Sequence, residues 1–279
     1  MKTITITGRF DPLSQSELDR IIAFRKQGYQ VRVVVCGQGI LSIGQRVQLV
    51  KAAIQPWKHV YLDPCVHTLG TTDVTDEAAE DHIRSGYFRK CARGTRRLLL
   101  ENGWYLNEVV DAQCNPHRAL HSKSVAAVCA DLARANGVDP LLAWRSGMLH
   151  DITKRMSDDE GRKILGIYEP DKLEQNTKIW HSYTAVYWLK HEMGLYDPRI
   201  LQAIHSHTVG DGHSKLDWIV YIADKCEPTR GYDSSRELAL SKTDLKAAAQ
   251  LVQLEAKRYR EEEKEIHAGI IKTGGNDAG

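Results

Sequence analysis

Gly147-Met148-Leu149-His150-Asp151-Ile152-Thr153-Lys154 is the stretch on which the fold turns, and within it the adjacent pair His150-Asp151. Consecutive side chains on a helix point about 100° apart, yet both reach one ion where the helix runs past it rather than away from it. Alone, such a dipeptide is ordinarily a surface carboxylate beside a satisfied core imidazole. Here the company changes the reading. His121 lies upstream, and His181, His205, His207 and Asp224 lie downstream, each next to an apolar helical pattern. Imidazole and carboxylate together suit zinc, iron or manganese, so the pattern points to a helical hydrolase centred on a metal.

The helices around the pair carry the other candidates. Leu120 to Asn136 places Val125, Val128 and Leu132 on one face, with His121 on the same stripe. Gly137 reads as its stop, Asp139 as the next N-cap and Pro140 as the first helical residue. In that next helix Ala143, Gly147 and His150 share a face, and the two small residues leave room for a neighbouring backbone or a ligand. Ser157-Asp158-Asp159-Glu160 has capping-box spacing and starts a short helix, after which His181, Ala185 and Trp188 fall in register.

Asp197-Pro198 opens another helix, in which Ile200, Ile204 and His207 share a stripe while His205 is turned away. His207 is therefore the inward histidine. Lys215 to Cys226 is apolar nearly all round and reads as a buried helix ended by Glu227-Pro228. Asp224 stands near that end, where an unpaired carboxylate is costly and a metal is the economical partner. Thr243 to about His267 is a long helix with Leu245, Ala249, Val252, Ala256 and Tyr259 as its seam, and its charged run from Lys257 to Glu265 reads as a solvated face.

The beginning of the chain has a different texture. Thr3 to Thr7 alternates at period two, Glu17 to Lys26 is helical, and Gln30 to Cys36 contains Val33-Val34-Val35. Gln45 to Ile54 is helical again and His59 to Leu62 is a third short strand. Strands alternating with helices at these intervals predict a parallel α/β sheet with any ligand at the carboxyl ends of the strands. Between Leu69 and Pro116, the acidic run Asp76 to His82 and the basic run Arg84 to Arg97 read as solvated helix faces without chemistry.

Length and charge bound the rest. A chain of 279 residues with 42% hydrophobic content suits two soluble domains. With 38 Lys+Arg against 36 Asp+Glu the net charge is +2, so charge alone requires neither a nucleic-acid nor a membrane partner. The opening strand has no apolar signal region behind it and no apolar run is long enough to cross a bilayer, which predicts a cytoplasmic protein. The six cysteines are scattered, with no Cys-x-x-Cys pair, as reduced structural thiols are. Predicted boundaries are 1–112 for the α/β domain, 113–270 for the helical domain and 271–279 for a frayed tail.

Two resemblances sharpen these expectations. Gly8-Arg9-Phe10-Asp11-Pro12-Leu13-Ser14-Gln15-Ser16-Glu17 resembles the opening of the nicotinate-mononucleotide adenylyltransferase family, Gly-x-Phe-Asp-Pro-x-His-x-Gly-His. Ser14 and Glu17 stand where that family has its phosphate-holding histidines, and Ser16 where it has a glycine. A carboxylate at that place would repel triphosphate, so a degenerate nucleotidyltransferase-like scaffold is expected.

The segment from Arg118 to His267 resembles the YqeK-type branch of the HD-domain hydrolases. The matching pieces are Arg118-Ala119-Leu120-His121-Ser122, Gly147 to Lys154, Trp180-His181, His207-Thr208-Val209-Gly210 and Tyr221 to Arg230. Together the resemblances imply an α/β nucleotidyltransferase-like Rossmann domain followed by an all-α HD domain that splits diadenosine tetraphosphate symmetrically into two ADP.

The HD resemblance implies iron, as one or two ions, or manganese, held by His121, His150, Asp151 and Asp224. His181 and His207 either complete a second metal position or donate hydrogen bonds to a bridging phosphate. Asp151 and Lys154 carry the catalytic roles. Lys154, Arg118 and Arg230 neutralise phosphate, and the stretch from His267 to Ile270 approaches the nucleotide. The partner is a dinucleoside polyphosphate, and a homodimer stays open. The rival readings are another HD-domain nucleotide phosphohydrolase, a nicotinate-nucleotide adenylyltransferase with a helical appendix, and a non-catalytic nucleotide sensor.

Overall fold

The computed structural model describes residues 1–63 and 71–273, with side chains up to residue 261. Cys65 and the end of the expected tail, 274–279, lie outside the described residues. The chain forms two compact units: Met1–Ala119 with Asp151–Asp197, and Leu120–His150 with Pro198 onward. It passes between them at the His150–Asp151 peptide bond, among other places.

The first unit begins with the expected alternation: β1 (Thr3–Gly8), α1 (Gln15–Lys26), β2 (Gln30–Val35), α2 (Ile43–Ile54) and β3 (Val60–Leu62). Both helices start at capping boxes, Ser14 with Glu17 and Ser42 with Gln45, which satisfy backbone donors that the first turn leaves orphaned. A fourth strand, β4 (Thr71–Asp73), was not legible in the sequence. Its three polar residues carry no alternation, and it is defined by pairing along Thr5, Ile6 and Thr7 of β1. The sheet is parallel throughout in the order β3-β2-β1-β4. Ile6, Phe10, Ile21, Val31, Val33 and Val50 fill its core.

Beyond the sheet come α3 (Glu77–Arg84), α4 (Thr95–Asn102) and α5 (Leu106–Gln113). The expectation of a merely solvated face is corrected here. Glu80 of α3 is fully buried, accepting from Arg9 Nε at 2.6 Å and from the Asp11 amide at 3.0 Å. Both partners are about seventy residues away in sequence, which is why a local charge pattern did not reveal them. Glu17 also faces inward: its carboxylate accepts from the Ser14 amide (2.8 Å), the Ser14 hydroxyl (2.9 Å) and the Asp76 amide (3.0 Å). Burial pushes its pKa up to about 7 in spite of these bonds.

The remaining helices are α6 (Pro116–Asn136), α7 (Pro140–Leu149), α8 (Asp158–Tyr168), α9 (Trp180–Trp188), α10 (Pro198–Ser206), α11 (Lys215–Cys226), α12 (Ser235–Thr243) and α13 (Leu245–Thr273). α8 and α9 belong to the first unit, where Leu165, Trp180 and Tyr183 pack together. α7 and α10 to α13 belong to the second. Asp139 caps α7 by accepting from the Leu141 amide at 2.9 Å, and Pro140 is its first residue, as the sequence predicts.

On α13 the predicted seam holds at Leu245, Ala249 and Val252, which are buried. It fails at Tyr259, which is 63% exposed because the helix outruns the packed part of its unit. No helix among the described residues is long and apolar enough to cross a membrane.

Candidate metal centre

The second unit brings His121 from α6, His150 from the end of α7, His207 just after α10 and Asp224 from the last turn of α11 together, all buried. The approach depends on Gly147, one turn before His150. A Cβ at that position would stand 2.7 Å from the α-carbon of Ala126 on α6, so only glycine lets the two helices close to this distance. His121 Nε2 lies 3.1 Å from Asp224 Oδ1 and 3.3 Å from His150 Nε2, and His150 Nε2 lies 3.5 Å from the same carboxylate oxygen. The His150 and His207 rings stand edge to face, their centroids 5.0 Å apart.

The chemistry of this donor set is unusual without a cation. His150 Nδ1 donates to the Gly147 carbonyl at 2.7 Å, and His207 Nδ1 to the Ile204 carbonyl at 2.6 Å. His121 Nδ1 lies 2.9 Å from Glu227 Oε1. Each of these oxygens only accepts, so each ring carries its proton on Nδ1, and the lone pair of the neutral imidazole is on Nε2. The Nε2 atoms of His121 and His150 and one oxygen of Asp224 therefore turn electron pairs towards one another. Burial alone would raise the Asp224 pKa, but the neighbouring Lys225 ammonium outweighs it and holds the group well below the usual carboxylate range. Three buried donors, two nitrogen and one oxygen, fit a divalent ion.

Around Asp224 stand two cations. Lys225 Nζ lies 2.7 Å from Oδ2, and Arg230 donates through Nη2 to Oδ1 at 2.7 Å and through Nε to the Asp224 carbonyl at 2.9 Å. The HD resemblance implies a phosphate-neutralising role for Arg230; here its guanidinium is bound to the Asp224 carboxylate. Glu227 was read only as a helix stop. It is buried, and its spacing of three residues from Asp224 at the end of a buried helix is the signal that could have found it.

The first unit holds the other candidates around Asp151. His181 Nε2 lies 3.1 Å from Asp151 Oδ1, and Arg118 Nη1 lies 2.7 Å from Oδ2. Lys154 Nζ is 3.0 Å from His181 Nδ1 and 3.0 Å from the Lys178 carbonyl. A cavity of about 220 Å³ opens beside this group, lined by Lys154, Ser157, Asp158, Thr177, Trp180 and His181 among others. His205 is half-buried, on the side predicted to turn away. The side chain of His267 lies outside the described residues.

Residues 118–229 match the family model described as HD domain. A Bacillus subtilis protein named "Bis(5'-nucleosyl)-tetraphosphatase, symmetrical" is 33% identical over 145 residues, covering 50% of this chain and 77% of that protein. The chain belongs to the HD-domain family. A second relative of the same name, from Halalkalibacterium halodurans, is 30% identical and is 78% covered by this chain.

A protein of Mycoplasma pneumoniae named "Probable nicotinate-nucleotide adenylyltransferase/Ap4A hydrolase" is 30% identical over 184 residues, covering 63% of this chain and 53% of that protein. The match thus spans about half the length of that relative. Among solved structures, "Crystal structure of predicted HD superfamily hydrolase involved in NAD metabolism", from Clostridium acetobutylicum, superposes with a TM-score of 0.51 at 24% identity. It covers 57% of this chain and 87% of that one. At that identity the likeness is one of HD fold.

Proposed function

We propose that this chain hydrolyses diadenosine tetraphosphate symmetrically to two ADP in a metal-dependent reaction. The observation that carries the reading is the convergence of His121, His150 and Asp224, with ring tautomers that turn their lone pairs to one place. The substrate comes from the relatives, two of which bear the name of the symmetrical tetraphosphatase. They favour this reading over the adenylyltransferase with a helical appendix.

His121, His150 and Asp224 would hold the ion, with Asp151, one peptide bond from His150, as the fourth ligand that the HD resemblance implies. Iron is the metal of the resemblance, and manganese suits the same donors. When bound, such an ion supplies Lewis acidity at a phosphoryl oxygen and lowers the pKa of a water. In the overall reaction, water oxygen bonds to one of the two central phosphorus atoms. The central P–O–P link breaks on that side, and the second ADP leaves with the bridging oxygen. Arg118 and Arg230, each bound to a carboxylate of the set, present guanidinium edges that pair with phosphate oxygens in two-pronged fashion. Lys154 and His181 act as a donor pair for the chain of phosphates, and His207 is a further phosphate-binding histidine.

The α/β part reads as a degenerate nucleotidyltransferase-like domain, residues 1–112, ahead of the HD domain at 113–270. Glu17 supports this, because its carboxylate takes up the Ser14 amide at the start of α1, a backbone donor of the kind that binds phosphate at a helix N-terminus, and the Asp76 amide at the start of α3.

The test is product analysis by anion-exchange chromatography of diadenosine tetraphosphate incubated with manganese-loaded protein, beside Asp151→Ala. ADP as the sole product, absent in the variant, supports the reading. ATP plus AMP would move it to an asymmetric hydrolase. Faster turnover of a mononucleotide or cyclic dinucleotide would move it to another HD-domain phosphohydrolase.

A further inference from the structure

The end of α11 carries more than a metal ligand. After Asp224 come Lys225 and Cys226, then Glu227-Pro228-Thr229-Arg230, whose last three residues form a single 3-10 turn. Glu227 is 1% exposed, and its Oε1 lies 2.9 Å from His121 Nδ1. Its other contacts fix where that oxygen points. The Thr229 hydroxyl donates to Oε1 at 2.6 Å and the Thr229 amide to Oε2 at 2.7 Å. The Ser234 hydroxyl fastens the returning chain by donating to the Cys226 carbonyl at 2.6 Å. A carboxylate so held accepts and does not donate, which forces the His121 proton onto Nδ1.

His121 differs in this from the other two histidines. His150 and His207 each donate Nδ1–H to a neutral carbonyl three residues earlier on their own chain segment. His121 is bound to a charged group just past the end of α11, 106 residues away. A carboxylate raises the basicity of the ring it accepts from more than a carbonyl does, and it fixes the ring plane across the gap between α6 and α11.

We propose that Glu227 is the positioning residue for His121, clamped by Thr229, and that this carboxylate–imidazole pair sets the metal affinity of the site. The proposal rests on the reading of His121, His150 and Asp224 as metal ligands. It gives the Glu-Pro-Thr-Arg segment two tasks on one turn: Glu227 aims His121 while Arg230 holds Asp224.

The test is titration of Mn²⁺ into the metal-stripped full chain, with free Mn²⁺ read by electron paramagnetic resonance and the unfolding temperature of each metal-free variant measured alongside. Glu227→Ala is expected to weaken Mn²⁺ binding by about 100-fold, and Glu227→Gln, which keeps a neutral acceptor for Nδ1–H, by about 10-fold. Thr229→Val keeps the carboxylate and loses only the hydroxyl clamp, so its loss is expected to be smaller than that of Glu227→Gln. This graded order, at unfolding temperatures close to wild type, supports the proposal, because a merely structural role would not rank affinity by the charge on residue 227.

Wild-type affinity in Glu227→Gln and Glu227→Ala overturns the proposal while leaving the metal site standing. A loss in Glu227→Ala that comes with a collapsed metal-free fold, beside wild-type affinity in Thr229→Val and Glu227→Gln, also overturns it. Absence of Mn²⁺ binding by the wild type, or undiminished binding by His121→Ala, overturns the ligand reading and the proposal together.

Discussion

Gly147 shows at the scale of one residue how the ligand pair is set. Besides crowding the α-carbon of Ala126, a Cβ there would meet the Ala126 amide nitrogen at 2.9 Å and Cys129 Sγ at 3.0 Å, and two of these three neighbours are backbone that does not swing aside. Gly147→Ala is therefore expected to lower stability by about 1–3 kcal/mol and to weaken Mn²⁺ binding through displaced His150, both read by unfolding and titration. The room at this position was legible from spacing alone, because small residues repeated one turn apart ahead of a histidine. Glu17 was not legible in the same way. Its sequence position predicted only a carboxylate that would repel triphosphate, whereas one of its donors, the Asp76 amide, lies 59 residues on. Its folded pKa of about 7, against an ordinary 4.5, means that the folded chain prefers the protonated form. The stability it contributes is then full below about pH 4.5 and is lost as pH rises through 7. Measured against Glu17→Gln, wild-type stability should fall across that window by an amount on the order of 2 kcal/mol. A flat difference would show that the three donors to Glu17 compensate its burial fully.

At the scale of elements, α11 carries the centre because its two ends do different work. Its start is a reciprocal capping box: Asp217 N donates to Ser214 Oγ at 3.2 Å, and Ser214 N to Asp217 Oδ2 at 2.8 Å. Its end presents Asp224 and Glu227. Ser214→Ala removes one cap acceptor ten residues from the nearest ligand, so thermal unfolding should register a loss of about 1 kcal/mol while Mn²⁺ affinity stays at the wild-type value. An affinity change would mean that the two ends of the helix are coupled. The bounds of α11 were readable to the residue, since a run that is apolar nearly all round and a Glu-Pro stop mark them locally. β4 and α3 were opaque for the opposite reason. Three polar residues become a strand only beside β1, and α3 looks solvated until Arg9 and Asp11 are brought to Glu80. The histidines followed the same division: helical period placed His207 inward, but the pairing of His121 with Glu227 needed the fold.

At the scale of the whole molecule, sequence texture and compactness divide the chain differently. Texture changes near residue 112, yet the first compact unit takes in Asp151–Asp197 as well as the N-terminal segment. Specific contacts inside that unit explain why. The Trp188 ring packs edge-on against Tyr87, with centroids 6.2 Å apart, and stands where a Cβ on Gly86 would come within 2.5 Å of it. Arg89 donates to the Lys190 carbonyl at 2.9 Å. The segment that carries Asp151, Lys154 and His181 is therefore packed on residues that the sequence assigns to the other domain. A fragment of residues 113–279 would keep His121, His150, Asp224 and Glu227, all from the second unit, but would strip the packing from Trp188. Burying a large aromatic side chain contributes roughly 1.5–3 kcal/mol, so the fragment should unfold several degrees below the full chain. Mn²⁺ affinity should survive far better than turnover of diadenosine tetraphosphate, because three of the four proposed metal ligands stay in the second unit, whereas both Lys154 and His181 lose support along with Asp151. Equal turnover per bound ion in fragment and full chain would instead show that residues 113–270 position His181 and Lys154 without help, as a self-contained HD domain would.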